Sequence, residues 1–127
     1  MTSEVLVYVN ALIETLEIDY RLYKTKSHQQ HPDVEYHNQA LEQIRSGTYD
    51  FGIKFTVDEG NKYYKIIMMQ SGNKSVHAFV NKNTGEVFKA ASWKSPAKNV
   101  RYNLLDPTSR KDIYRKADWA SSYLYAR

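Results

Sequence analysis

The chain has 127 residues, of which 42% are hydrophobic and 25% charged, and it contains no cysteine. That length suits one domain with its own core, hiding roughly two thirds of the surface its unfolded chain exposes, so neither disulfide nor metal is needed to hold it. The missing thiol excludes disulfides, thiolate zinc sites and a cysteine nucleophile, and it fits a reducing compartment. The net charge of +4 is unevenly placed: residues 1–88 carry −2 and residues 89–127 carry +6. Such an asymmetry points to a polyanionic or acidic partner for the C-terminal third, against the plainer alternative that the basic part folds over the acidic part. The segment before Glu14 has no basic leader and includes Glu4, so it does not read as a signal peptide. No apolar run approaches the ~18 residues of a membrane span, and a cytoplasmic protein with no membrane partner is expected. The 11 tyrosines suit half-buried rims and contact surfaces, because the ring is apolar and the tip polar.

Residues 3–25 read as an amphipathic helix. Val5, Val9, Leu12, Leu16, Tyr20 and Tyr23 recur at helical spacing, with Leu6 and Ile13 widening the stripe and Ser3 placed to cap it. Residues 24–32 are polar, contain Pro32 and read as a loop. A shorter helix over 33–46 has Asp33 at its start, Val34, Leu41 and Ile44 on one side, and Gly47 as a left-handed stop.

The period then changes to two. Phe51, Ile53, Phe55 and Val57 alternate with Gly52, Lys54 and Thr56 in a strand with one buried face. After the Asp58–Asn61 turn, residues 62–70 are apolar on both faces, as in a central strand. A third strand puts Val76, Ala78 and Val80 on one side and His77 and Phe79 on the other. The Asn83-Thr84-Gly85 turn offers glycine where positive φ is required, and a short strand ending near Ala91 reads as an edge. Residues 92–105 read as a long basic, aromatic loop of the functional or disordered kind. A last helix begins at Asp106 as cap and Pro107 in the first turn. Ser109 with Asp112 resembles a capping box, and Ile113, Ala117, Ala120 and Leu124 form the buried stripe. The expected fold is α+β, a four-stranded antiparallel meander packed against an N-terminal helix pair and a C-terminal helix, in a single domain over 1–127.

Three constellations have the residue types for chemistry. Lys94, Lys98, Arg101, Arg110, Lys111 and Arg115, joined by Lys89 and Lys116, can neutralise phosphates, while Trp93 and Tyr102 can stack on unpaired bases. No motif of a known nucleic-acid-binding module accompanies them, and Trp93 read blandly is a core anchor. His28, His31 and His37 lie near Asp33 and Glu35, but the spacing matches no zinc motif, and no metal is assigned. His77 follows Ser75 at the two-residue spacing that shares a strand face, yet there is no nucleophile elbow, carboxylate pair or phosphate loop. No catalytic residue and no cofactor are assigned.

The hairpin and its exit also carry a resemblance. Phe79, Val80, Lys82, Thr84, Gly85, Val87 and Lys89, followed by Ala91, Ser92, Trp93, Lys94, Pro96, Ala97 and Lys98, resemble a pattern in small uncharacterised proteins of tailed bacteriophages, including phages of marine bacteria. The resemblance implies a phage-type source and expression inside a bacterial host, and it carries no activity or catalytic residue. The expectation is a non-enzymatic accessory protein that binds nucleic acid, or an acidic protein, through its basic C-terminal surface. The alternative is an interaction or structural module that self-associates through its sheet into a homo-oligomer.

Overall fold

The computed structural model describes residues 3–29, 35–47 and 52–125. Helix α1 spans Glu4–Gln29 and buries Val5, Val9, Leu12, Ile13, Leu16 and Tyr20, most of the stripe expected from the spacing, while Tyr23, expected in the same stripe, is exposed. Ser3 caps it: its Oγ accepts from the backbone N–H of Leu6 at 3.0 Å and shares a 2.7 Å hydrogen bond with the Tyr64 hydroxyl. The polar segment from Lys24 is not a loop, because the helix continues to Gln29 and buries His28 in its last turn. Helix α2 spans Glu35–Ser46, with Ala40 buried and Leu41 and Ile44 half-buried. Gly47 ends it at φ 78°, as expected. The expected roles of His31, Pro32, Asp33, Val34 and Phe51, and of the His37 side chain, lie outside the described residues.

Strands β1 (Ile53–Glu59), β2 (Tyr63–Gln70), β3 (Asn73–Asn81), β4 (Glu86–Lys89) and β5 (Tyr102–Asn103) form one antiparallel sheet in chain order. The meander therefore has a fifth strand, and β4 is not an edge: Val87 pairs with Tyr102 and Glu86 with Asn103. Phe55, Tyr64, Ile66, Ala78, Val80 and Val87 face α1 across a buried core that also takes in Leu104, Ile113 and Leu124. Helices before and after the meander thus share one face of the sheet, the two-layer packing that alternating strands and striped helices require.

One irregularity redirects a side chain. Ile66 pairs with Ala78 and Ile67 with Val76, so His77 is an extra residue in β3. This bulge turns His77 to the core face, where its ring meets Phe55 edge-on at 5.4 Å. The strict alternation that set His77 beside Phe79 on the opposite face fails at that point.

The segment after β4 is also more ordered than a loop. Ala90 bridges Pro96, the N–H of Ala97 donates to Lys89 O at 2.7 Å, and that of Arg101 donates to Val87 O at 2.8 Å. Residues 90–101 are the returning tip of the β4–β5 hairpin. Helix α3 (Pro107–Lys116) starts as expected, with Asp106 Oδ1 accepting from Thr108 N–H at 3.1 Å. Ser109 and Asp112 do not form a capping box. The Ser109 hydroxyl accepts from Asn103 N–H at 2.8 Å, and Asp112 pairs with Arg115 and Lys116. The helix stops at Lys116 instead of reaching Leu124. Ala117 turns to an extended ψ of 135°, and Asp118 accepts from Ser122 N–H at 3.1 Å, an aspartate competing with helical bonding. Ala120 is exposed, while Leu124 returns to the core on a short 3-10 turn over Ser122–Leu124. Among the described residues no helix is long and apolar enough to cross a membrane.

Candidate nucleic-acid interface

The face of the sheet turned away from α1 follows from the registers. Lys54, Met69 and Lys74 stand side by side in one row, Thr56, Ile67 and Val76 in the next, and Asp58, Lys65, Phe79 and Phe88 in the third. The strand residues packed against α1 point the other way. The third row is aromatic and basic together. Tyr63 meets Phe79 at 5.7 Å and Phe88 at 6.0 Å, both edge-on, and Lys65 Nζ sits 5.7 Å over the Phe79 ring.

The hairpin tip completes the surface. The Ser92 hydroxyl accepts from the N–H groups of Lys94 and Ser95 at 3.3 and 3.2 Å, closing a tight turn that carries Trp93. Lys65 Nζ lies 4.8 Å from the Trp93 ring centroid. Because β3 stands between β2 and β4, a residue following β4 reaches Lys65 only if the tip folds back over Phe79. That fold buries Phe79 to 2% exposure and leaves Trp93 45% exposed, so Trp93 is not the core anchor of the plainer reading. A groove of about 200 Å³ opens beside the tip, lined by Lys62, Lys65 and Lys94 with Tyr63, Phe79 and Asp58. Among the described residues Lys54, Lys62, Lys65, Lys74 and Lys94 take part in no ion pair. Lys62 and Lys65 rest instead over aromatic rings, contacts worth about 0.5–1 kcal/mol each at such exposure.

The other basic residues expected at the site gather elsewhere, and several are committed to structure. Arg101 donates from Nε to Leu124 O at 2.6 Å, and from Nη1 to Lys98 O at 3.1 Å and Asn99 O at 2.8 Å, so its guanidinium ties the hairpin to the C-terminal turn. Tyr102 is 6% exposed, and its hydroxyl donates to Tyr123 O; it is core, not a stacking platform. Arg110 packs inward, 3.9 Å over the Tyr8 ring, and donates to Leu104 O at 2.9 Å. Arg115 and Lys116 grip Asp112 at 2.8 and 3.2 Å, and these hydrogen bonds hold its carboxyl below the usual carboxylate range. Lys98 and Lys111 remain exposed. An open groove of about 590 Å³ between Arg101 and α3 is lined by Arg101, Lys111 and Arg115 but also by Asp106 and Asp112, so two carboxylates offset most of its positive charge. The structure brings Trp93 and Lys94 together with Lys62 and Lys65 of the sheet, and leaves Arg101, Tyr102, Arg110, Lys111 and Arg115 on the α3 side.

Lys62 and Lys65 do not enter the expected site, although one signal pointed to them. A lysine at position 65, inside the otherwise apolar stretch Tyr64–Met69, stands on a face that cannot be fully covered. Of the histidines, the side chains of His28 and His77 are described. His28 is buried in α1, and among the described residues no cluster of three metal-binding side chains exists. His77 Nε2 is 2.6 Å from the Tyr123 hydroxyl, and Ser75 is exposed on the strand beyond the bulge. Burial lowers the His77 pKa to about 4 against a smaller raising effect of Asp118, and burial pushes Tyr123 well above the usual phenol range. A phenol that keeps its proton donates to a neutral imidazole that accepts it, a satisfied buried pair.

These features define a small α+β protein whose sheet is covered by helices on one face and carries lysines and aromatic rings on the other. The chain belongs to the Family of unknown function (DUF7717), whose family model matches residues 1–126. No curated protein and no solved structure matches it.

Proposed function

We propose that this protein is a non-enzymatic accessory protein, of the phage type its hairpin sequence resembles, that binds nucleic acid through the open sheet face and the β4–β5 tip. The observation that carries this reading is the convergence of Lys62, Lys65 and Lys94 on one groove beside an exposed Trp93, without carboxylate partners among the described residues except Asp58 on the rim. Cations free of internal ion pairs are available to displace counterions from a phosphate backbone. The basic surface of the C-terminal third contributes Lys94 directly and Lys98 and Lys111 at a distance. An acidic protein would answer to the same charge but gives no use for the indole.

A mobility-shift titration of the full chain with DNA at two salt concentrations tests this. Binding should weaken steeply with salt, and Lys65→Gln and Lys94→Gln should each lower the log–log salt slope by about one, whereas Lys111→Gln changes it little. Absence of any shift at low salt sinks the reading. Self-association is favoured by one feature, the outer edge of β1, which no described strand pairs. Lys54, Asp58 and Glu59 are exposed along that strand, and charged side chains of this kind discourage edge pairing. Light scattering showing a concentration-independent monomer would remove that reading.

A further inference from the structure

We propose that the nucleic acid taken by this face is single-stranded, with an unpaired base stacked on Trp93 and the flanking phosphates held by Lys62, Lys65 and Lys94; this rests on the nucleic-acid reading above. The geometry distinguishes strand from duplex. Trp93 stands at the tip of a tight turn, about half exposed, with the Lys65 ammonium 4.8 Å from its ring centroid. A cation over an exposed ring is held more weakly than a stacked base. A base can therefore take that position while Lys65, released from the ring, turns to the adjoining phosphate. Bases inside a duplex are already stacked on one another and present only their edges, which gives the exposed face of Trp93 nothing to stack on.

The alternative of a duplex-reading helix has little material here. Of the cationic residues of α3, Arg110 is turned to Tyr8 while Arg115 and Lys116 are held by Asp112, which leaves Lys111. The sheet face also offers a path. From Lys65 to the row of Lys54, Met69 and Lys74 is four residues along β2, about 13 Å at the rise of a strand. Between them lie the half-buried Thr56 and Val76 with Ile67 buried beneath them, an uncharged stretch that a few nucleotides would span to reach the second pair of lysines.

The test uses the full chain with a short oligothymidine and with a duplex of the same length. In a Trp119→Phe protein, Trp93 is the remaining tryptophan, and Trp119 packs on Tyr20 and Tyr23, away from the proposed face. Oligothymidine should quench the Trp93 fluorescence and bind more tightly than the duplex. In the otherwise unaltered chain, Trp93→Ala should lower the oligothymidine affinity by about tenfold or more and leave duplex affinity unchanged. Because Trp93 is exposed, that variant keeps the fold, which circular dichroism checks independently. Equal affinity for both forms, or an oligothymidine affinity indifferent to Trp93→Ala, overturns the single-strand proposal while the broader reading stands. Failure of both forms to bind at low salt overturns the two together.

Discussion

Gly85→Ala should destabilise the protein by about 3 kcal/mol, seen as a shift of the urea midpoint without a change in slope. Two costs combine. Gly85 sits at φ 77°, where a β-carbon costs about 1–2 kcal/mol. The added methyl would also stand 2.9 Å from Leu105 Cγ, 3.0 Å from Leu105 N and 3.1 Å from Asn103 Oδ1. Two of these neighbours are fixed: Leu105 N–H already donates to Asn103 Oδ1 at 2.8 Å, and Leu104 N–H donates to Gly85 O at 2.8 Å. Crowding of this kind adds about 1–3 kcal/mol. Gly47 is the control. It sits at φ 78°, and a methyl added there would meet nothing within 4 Å among the described residues, so Gly47→Ala should cost only the backbone part, about 1–2 kcal/mol. Equal losses at the two glycines would show that the contact with the β5–α3 junction is not tight.

The second large effect is acid sensitivity arising from His77. Its pKa falls from 6.5 in the unfolded chain to about 4 in the folded one, chiefly through burial. The folded state thus prefers the neutral ring. The stabilisation is complete above pH 6.5, is lost as pH drops through the window down to about 4, and does not change further below it. That difference corresponds to about 3 kcal/mol at 1.36 kcal/mol per pH unit. Carboxylates titrate at the lower end of the same window, so the comparison is between wild type and His77→Gln. The variant starts less stable at neutral pH, because the Tyr123 hydroxyl loses its imidazole partner, but it should show a shallower decline on acidification. Parallel pH profiles for the two proteins would contradict the assignment.

The parts of the fold legible in the sequence are those whose signal is local. The stripe from Val5 to Tyr20, the alternation from Phe55 to Val57, the Gly85 turn and the Asp106-Pro107 helix start each depend on neighbours within a few residues, and each is present. The parts not legible depend on distant partners. β5 is only Tyr102–Asn103, too short for any periodicity, and is a strand because Glu86 and Val87 pair with it. The His77 bulge is a mismatch between β2 and β3 that neither strand announces alone. The end of α3 at Lys116 reflects Asp118 and the acceptance of Trp119 N–H by Asp19 at 3.0 Å, a contact from the other end of the chain. The candidate site divides in the same way. Trp93 and Lys94 are readable as a basic, aromatic pair, but their neighbours Lys62 and Lys65 come from the β2 side of the sheet, and Arg101, Tyr102 and Arg110 are occupied by contacts no linear pattern displays.

The most direct measurement of the single-strand interface is an amide NMR titration of the full chain with oligothymidine at low salt. Resonances of β2, β3 and residues 91–95 are expected to shift together and saturate, with little change in α3. Shifts confined to α3 and the Arg101 groove, or no shifts at all, would contradict an interface on the open sheet face.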